Sequence, residues 1–86
     1  MHRSKIDIIA DILQVAARGT KKTHIMYGCN LSFEQLQTYL NLLLDRGLLR
    51  VNAENEKCGN STFFQTTARG HIFLKAHRNL REILTT

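Results

Sequence analysis

The chain has 86 residues, of which 43% are hydrophobic, and this length and composition predict one small globular domain. Its net charge of +5 and its pI near 9.7 favour a polyanionic partner. The apolar runs are too short for a membrane span, and the amino terminus lacks the apolar centre of a signal peptide. We therefore expect a cytoplasmic protein that is not associated with a membrane.

The first predicted helix runs from about Lys5 to Arg18. Ser4 followed by Asp7 is typical of a capping box, and Gly19 provides a stop signal. Apolar residues recur at helical spacing along one stripe, at Ile6, Ile9, Leu13 and Ala16. A second stripe lies beside it, at Ile8, Ile12 and Val15. Because the apolar surface is this broad, we expect other elements to cover the helix on more than one side.

A shorter helix is predicted for residues 21–29, with Thr20 as its cap. Residues 28–30 are Gly, Cys and Asn, and both Gly and Asn tolerate left-handed backbone or tight turning. Leu31 is placed to fill the core beneath this corner. The pattern indicates a short helix that ends in a tight turn.

The next helix begins with another complete start signal. Ser32 can cap it, and Gln35 can reach back from the third helical position. Its apolar face consists of Phe33, Leu36, Leu40, Leu43 and Leu44. Gly47 ends the element. A short helix, a tight turn and a capped helix together predict a helix-turn-helix.

Two predicted strands follow, in the segments "LLRVNAE" and "TFFQT", and the intervening "NEKCGNS" is rich in turn-forming residues. Three helices followed by a two-stranded hairpin predict an α+β, mostly helical fold, the winged helix-turn-helix, with the hairpin as its wing. Thr66 or Thr67 is expected to cap an added carboxy-terminal helix. We predict a winged domain over residues 1–66 and a dimerisation helix over residues 67–86.

Three stretches carry a resemblance to a known family. They are "RSKIDIIADIL" in the first helix, "TKKTHIMYGCNLSFEQLQTYLNLLLDRGLL" across the helix-turn-helix, and "FQTTARGHIFL" from the wing into the last helix. Together they cover nearly the whole chain, which resembles the small archaeal winged-helix DNA-binding regulators. The resemblance implies double-stranded DNA as the partner and a role as a transcriptional regulator or a nucleoid-associated protein. It also implies dimerisation through the carboxy-terminal helix.

The resemblance places the second helix of the motif, about residues 32–46, in the major groove. Its outward face offers side chains that pair with base edges, namely Glu34, Gln35, Gln37, Thr38 and Asn41. Gln and Asn can pair bidentately with adenine, Thr can contact a thymine methyl group, and Glu can accept a hydrogen bond from cytosine. A polar face that meets only solvent is the alternative interpretation.

Phosphate contacts are expected from other elements, because the first turns of this helix carry no outward lysine or arginine. Lys21 and Lys22 are the leading candidates, since they begin a helix whose dipole also favours anions. The further candidates are Arg3, Lys5, Ser32, Arg50 and Lys57. Glu54 and Glu56 oppose Lys57 in the wing turn, so we expect no strong minor-groove contact from the wing.

The last helix predicts a homodimer interface, because its apolar residues follow the alternating three and four spacing of a coiled-coil seam. The seam consists of Phe73, Ala76, Leu80 and Ile83, widened by Ile72 and Leu84. Its far end lies beyond the reach of so small a core and would leave an exposed apolar patch without a second copy. A helix that folds back on its own domain is the alternative.

Patterns typical of enzymes and metal sites are absent from the sequence, which lacks a glycine-rich phosphate loop, an HExxH segment and a CxxC pair. We expect Cys29 and Cys58 to be reduced, and His24, His71 and His77 to have surface or packing roles. The sequence therefore predicts no catalytic activity, cofactor, metal or small-molecule ligand. The alternative function is a winged-helix module that binds another protein, which the acidic middle of the chain favours.

Overall fold

The computed structural model describes residues 3–52 and 62–85, and its elements follow the predicted order of three helices, a hairpin and a last helix. The helices are α1 (Lys5–Val15), α2 (Lys22–Gly28), α3 (Phe33–Asp45) and α4 (Ala68–Thr85). The strands are β1 (Thr20–Lys21), β2 (Leu49–Asn52) and β3 (Phe63–Thr66). This arrangement confirms the predicted α+β, mostly helical fold. The predicted wing turn, with Lys57, lies outside the described residues.

Both predicted capping boxes are present, and each is reciprocal. At the start of α1 the backbone N–H of Asp7 donates to Ser4 Oγ at 3.1 Å, and the Ser4 N–H donates to Asp7 Oδ2 at 3.3 Å. At the start of α3 the Gln35 N–H donates to Ser32 Oγ at 3.1 Å, and the Ser32 N–H donates to Gln35 Oε1 at 3.0 Å. Each box satisfies two backbone donors that a bare helix end would leave unpaired.

The link between α1 and α2 differs from the prediction. Helix α1 ends at Val15 instead of Arg18, and the chain turns at Gly19, whose φ of 90° suits glycine. Thr20 does not cap α2, because it belongs to β1, and Lys21 occupies the cap position without a side-chain hydrogen bond. Pairing with β3, which is distant in the sequence, therefore determines the conformation of this segment. Local capping chemistry alone predicted a helix start there.

The three strands form one antiparallel sheet in the order β1-β3-β2. Phe64 of the central strand pairs with Thr20 on one side and with Val51 on the other. Its side chain is buried and belongs to the core. The predicted two-stranded hairpin thus gains a third strand from the α1–α2 link, which ties it to the helical part of the domain.

The core lies between α1, α2 and α3, and it is made of the leucine and isoleucine stripes predicted for them. Its fully buried large side chains are Ile12, Leu13, Ile25, Leu36, Leu40, Leu43 and Cys29. Ile6 and Phe33, which were predicted on the apolar faces, are instead 56% and 61% exposed. Each lies in the first turn of its helix, at the end of its apolar stripe, so the packed elements do not cover it.

Helix α4 begins at Ala68, directly after Thr67, which is the second of the two predicted caps. Thr67 Oγ1 accepts from the Gly70 N–H at 3.1 Å and donates to the Gly47 carbonyl oxygen at 2.7 Å. Gly70 is buried, and a Cβ there would collide with the Leu48 carbonyl oxygen and with the Thr66 methyl group. The start of α4 is therefore fixed against the end of α3 and the sheet.

The first half of α4 continues along α1. Phe73 and Leu74 pack against the core, and the Phe73 and His77 rings stack with their centroids 6.4 Å apart. His77 Nε2 lies 2.9 Å from Asp7 Oδ1, which joins the two helices through a polar contact. His77 thus has the packing role predicted for it, and Phe73 contributes to its own domain.

Candidate nucleic-acid interface

The corner between α2 and α3 has the geometry of a helix-turn-helix. Asn30 adopts a left-handed φ of 55°, which Asn tolerates better than most residues. The Leu31 N–H then donates to the Met26 carbonyl oxygen at 2.9 Å, and the Leu31 side chain is buried as predicted. Ser32 follows immediately as the cap of α3. The corner thus fixes where α3 begins relative to α2.

The outward face of α3 is polar and opposite the buried leucines. Four of the five predicted base-reading residues are exposed, and Gln37 is half-buried. The exposed four are Glu34, Gln35, Thr38 and Asn41. The structure therefore gathers all five predicted side chains on one accessible helix surface. It also exposes Phe33 at the amino-terminal end of that surface.

A chain of polar contacts crosses from α2 to this face. Lys22 Nζ donates to Gln37 Oε1 at 2.6 Å, and Gln37 Nε2 donates to Asn41 Oδ1 at 3.3 Å. The Lys22 ammonium also lies 4.8 Å from the centroid of the Phe33 ring, within the range of a cation–π contact. Lys22, predicted as a phosphate contact, is thereby placed beside the predicted base-reading residues.

Two of the other predicted base-reading residues have structural partners within their own helix. Gln35 Oε1 is engaged in the capping box of Ser32. The Thr38 hydroxyl donates to the Glu34 carbonyl oxygen at 3.0 Å, one helical turn back. Ser32, predicted as a phosphate contact, uses its Oγ as the helix cap. Gln37 and Asn41 are consequently the members of the face whose side-chain contacts are made with other side chains.

The remaining predicted phosphate contacts fall into two groups. Lys21 and Lys5 are exposed at helix starts. Arg3 instead forms an ion pair with Asp11 at 2.7 Å and donates to the Cys29 carbonyl oxygen at 2.6 Å. Arg50 donates to Gln65 Oε1 at 3.0 Å on the sheet. Arg3 and Arg50 thus have partners within the fold, whereas Lys21 and Lys5 extend into solvent.

The sequence profile of the winged helix-turn-helix family matches residues 2–85, nearly the whole chain. The chain belongs to this family. An uncharacterized protein of the archaeon Methanocaldococcus jannaschii is 34% identical over 85 residues, which cover 98% of this chain and 79% of that protein. The winged-helix resemblance predicted from the sequence is thereby confirmed.

A solved structure shares the winged-helix fold. The crystal structure of Sso10a-2, a DNA-binding protein from Sulfolobus solfataricus, matches with a TM-score of 0.81 and 23% identity. The match covers 94% of this chain and 81% of that one. The shared part therefore includes most of α4 as well as the winged-helix domain.

The outer half of α4 extends beyond the winged-helix core. Leu80 is 59% exposed, Ile83 71% and Leu84 81%. Ala76 and Ile72 are exposed too, so of the predicted dimer-interface residues Phe73 alone is partly buried within the described chain. The carboxy-terminal helix therefore divides into an inner half that packs on α1 and an outer half that presents leucines to solvent.

The contact between Lys22 and Gln37 is the main feature of the winged-helix surface that the sequence did not predict. The two residues lie on different helices, so no periodic pattern links them. The exposure of Phe33 was also missed, because its spacing matches the buried leucines. The Lys21–Lys22 pair at a helix start was the available signal, and it indicates neither the contact of Lys22 with Gln37 nor that with Phe33.

Features typical of metal sites, reactive cysteines and membrane spans are few in the described parts of this winged-helix chain. Residues 3–52 and 62–85 contain no group of three His, Cys, Asp or Glu side chains that could hold a metal ion. Cys29 is a free, buried cysteine, and burial raises the pKa of its thiol. None of the helices in the described ranges is long and apolar enough to cross a membrane. Cys58 lies outside these ranges.

Proposed function

We propose that this protein binds double-stranded DNA with a sequence preference, with α3 in the major groove. The observation that carries the proposal is the accessible face of α3, where Gln37 and Asn41 stand beside the Lys22 ammonium. In a helix-turn-helix the amino-terminal part of the second helix faces the base edges, and Gln, Asn and Lys are side chains that pair with them. Membership of the winged helix-turn-helix family supports the same assignment.

Charge supports a nucleic-acid partner independently. The net charge is +5, and both Lys21 at the start of α2 and Lys5 at the start of α1 are exposed. Phosphate contacts of this kind orient a protein on DNA and carry most of its non-specific affinity. The fold is shared with a protein described as DNA-binding, which also favours a role as a transcriptional regulator or a nucleoid-associated protein.

The proposal includes a homodimer, with residues 1–66 as the DNA-binding unit and residues 67–86 as the dimerisation helix. Leu80 and Leu84 on the outer half of α4 are largely exposed and lie one turn apart. A second copy would cover them and would present two recognition helices to two half-sites. The inner half of α4 stays on its own domain, so the alternative of a helix that folds back applies to that half.

Titration of a labelled duplex of about two helical turns, over a series of salt concentrations, tests the proposal. We expect log K to fall linearly with log salt, and a sequence selected from random duplexes to bind more tightly than its scrambled version. Absence of duplex binding at low salt would reject DNA as the partner. Equal binding of the selected and scrambled duplexes would reject the sequence preference and leave an architectural role.

A protein-binding module is the second candidate function. Phe33 is 61% exposed and lies next to Glu34, a combination that suits a protein surface with an apolar and a basic group. This candidate gains support only if duplex binding is absent. If the parent does bind duplexes, reduced duplex affinity of a Phe33→Ala, Glu34→Ala variant would place this end of α3 in the DNA interface.

A further inference from the structure

The direction of each hydrogen bond in the polar chain from α2 to α3 is fixed by chemistry. An ammonium group can only donate, so the Gln37 atom that faces Lys22 Nζ at 2.6 Å is its oxygen. The amide nitrogen of Gln37 is then directed to Asn41 Oδ1 at 3.3 Å. Asn41 accepts through its oxygen, which makes Nδ2 the other hydrogen-bonding group of that amide.

The atoms that can make further contacts are therefore mainly donors. Lys22 has two more ammonium hydrogens, the Gln37 amide nitrogen has a second hydrogen, and Asn41 has its Nδ2 hydrogens. The Gln37 oxygen already accepts from a cation. A surface of this kind is complementary to acceptor atoms on a base edge.

This polarity discriminates between the two purines. A glutamine that reads adenine uses its oxygen to accept from the N6 amino group and its nitrogen to donate to N7. Here an incoming N6 donor would meet the Lys22 ammonium at the same oxygen. Guanine presents two acceptors, N7 and O6, and no donor on this edge, so it matches the donor surface at both atoms.

The position of Lys22 suits such a role better than a phosphate contact. Its ammonium lies 4.8 Å from the Phe33 ring centroid as well as on Gln37, and the residue is half-buried, whereas neighbouring Lys21 is exposed. Two contacts hold the side chain on the α3 face before any ligand arrives. Less conformational entropy is then lost on binding.

We infer that Lys22 and Gln37 form one base-reading unit that recognises the N7 and O6 acceptors of guanine in the major groove. This inference rests on the proposed DNA-binding function and refines it. It moves Lys22 from the phosphate contacts to the base-reading residues. It also replaces adenine, the base first expected for Gln37, with guanine.

Base analogues test the inference on the intact protein. A preferred duplex is selected from random sequences, and each guanine in it is replaced in turn by 7-deazaguanine, which lacks the N7 acceptor. We expect one guanine in each half-site at which this replacement weakens binding by about 5- to 150-fold. The same replacement of each adenine by 7-deazaadenine is the matched control, and we expect little change from it.

Two variants connect the effect to Lys22. Lys22→Met should bind guanine and 7-deazaguanine duplexes equally, because it keeps a side chain of similar length and loses the ammonium that we assign as the donor to N7. Lys22→Arg should restore the difference, since it also offers only donors. A Met variant that still discriminates, or an Arg variant that does not, would overturn the assignment to Lys22.

The analogue results also separate this inference from the proposed function. Duplex binding that is indifferent to 7-deazaguanine, or sensitive to 7-deazaadenine instead, overturns guanine reading and leaves DNA binding intact. Failure to bind any duplex at low salt overturns the proposed function and the inference together.

Discussion

The hydroxyl group of Thr66 donates a hydrogen bond of 2.6 Å to the carbonyl oxygen of Leu13. Helix α1 ends two residues later, at Val15, and the Ala17 N–H donates to the Gln14 carbonyl oxygen, so the Leu13 carbonyl has its partner in the sheet. The Thr66 N–H also donates to the Ala16 carbonyl oxygen at 3.0 Å. The end of β3 thus provides the donor for the Leu13 carbonyl in the last turn of α1, and a second donor for the Ala16 carbonyl, which also accepts from the Gly19 N–H.

Replacement of Thr66 by Val should lower the free energy of unfolding by about 1–3 kcal/mol. The shapes of the two side chains are similar, but Val leaves the buried Leu13 carbonyl without its donor. Urea denaturation followed by circular dichroism measures the change. Thr66→Ser keeps the hydroxyl group and is the control for the lost methyl group. A Val variant at least as stable as the Ser variant would contradict the importance of this bond.

Gly70→Ala should destabilise the fold by about 1–3 kcal/mol or more, because overpacked sites strain their neighbours. Its Cβ would lie 2.5 Å from the Thr66 methyl group and would also collide with the Leu48 carbonyl oxygen, which belongs to the backbone. Gly28→Ala is the matched control, since its Cβ would meet Val15 at an ordinary 3.6 Å. That variant should gain about 0.5–1 kcal/mol, as expected for Ala in place of a helical Gly. Thermal denaturation of both variants compares the two sites.

Stability should fall on acidification because of Asp7. Hydrogen bonds from His77, and then from Ser4, hold the pKa of Asp7 below its ordinary value of 3.8. The folded state therefore favours the carboxylate, and this contribution is present above pH 3.8 and is lost as the pH falls through the lower, folded-state pKa. Asp7→Asn should reduce the loss of stability in that range.

Denaturant titrations at neutral pH and below pH 3.8 measure this dependence for Asp7→Asn and for the parent. Asp45→Asn removes a carboxylate at the last residue of α3 and serves as the control. An Asp7→Asn variant with the same acid dependence as the parent would show that its contact with His77 does not contribute to it.

Lys21→Ala should weaken binding to all duplexes alike and reduce the slope of log K against log salt by about one. Lys21 is exposed at the start of α2, where a phosphate can approach. Lys75→Ala, on the exposed side of α4, is matched in charge and should leave the slope nearly unchanged. Equal slopes for the parent and Lys21→Ala would remove Lys21 from the interface.

Sedimentation equilibrium should find a dimer for the parent chain and a monomer for Leu80→Asp, Leu84→Asp. The substitutions place two charges on the exposed leucines of the outer half of α4. Asn79→Asp adds a charge at an exposed polar position of the same helix and should remain dimeric. A monomeric parent, or a double variant that stays dimeric, would contradict the proposed interface.

Local sequence signals predicted the parts of the fold that depend on local chemistry. Ser4 and Ser32 were identified as caps because both partners of a capping box lie within one turn. The leucine spacing of α3 likewise predicted which side of the helix is buried. The candidate surface of Gln37, Thr38 and Asn41 follows from that assignment, since the opposite side of the helix must face outward.

The parts that were missed depend on distant residues. Strand β1 has two residues, and it is a strand because it pairs with Phe63 and Phe64. Gly70 packs closely against the backbone of Leu48, and no spacing rule indicates this contact. Periodicity assigned Phe33 to the core, but helix ends extend past the packed region. The partners of Lys22 required the crossing of α2 and α3, which the sequence does not specify.

The position of β1 constrains when the domain can form during synthesis. Thr20 leaves the ribosome well before Phe64, its partner in the central strand, and the whole helix-turn-helix is translated between them. The nascent chain can form α1, α2 and α3 early. The carbonyl groups at the carboxy-terminal end of α1 gain their contacts with Thr66 only after β3 emerges. Closure of such a distant pairing carries a loop-entropy cost that local helices avoid. We therefore expect the sheet to form after the helices, in a fold whose proposed recognition surface consists of early, local elements.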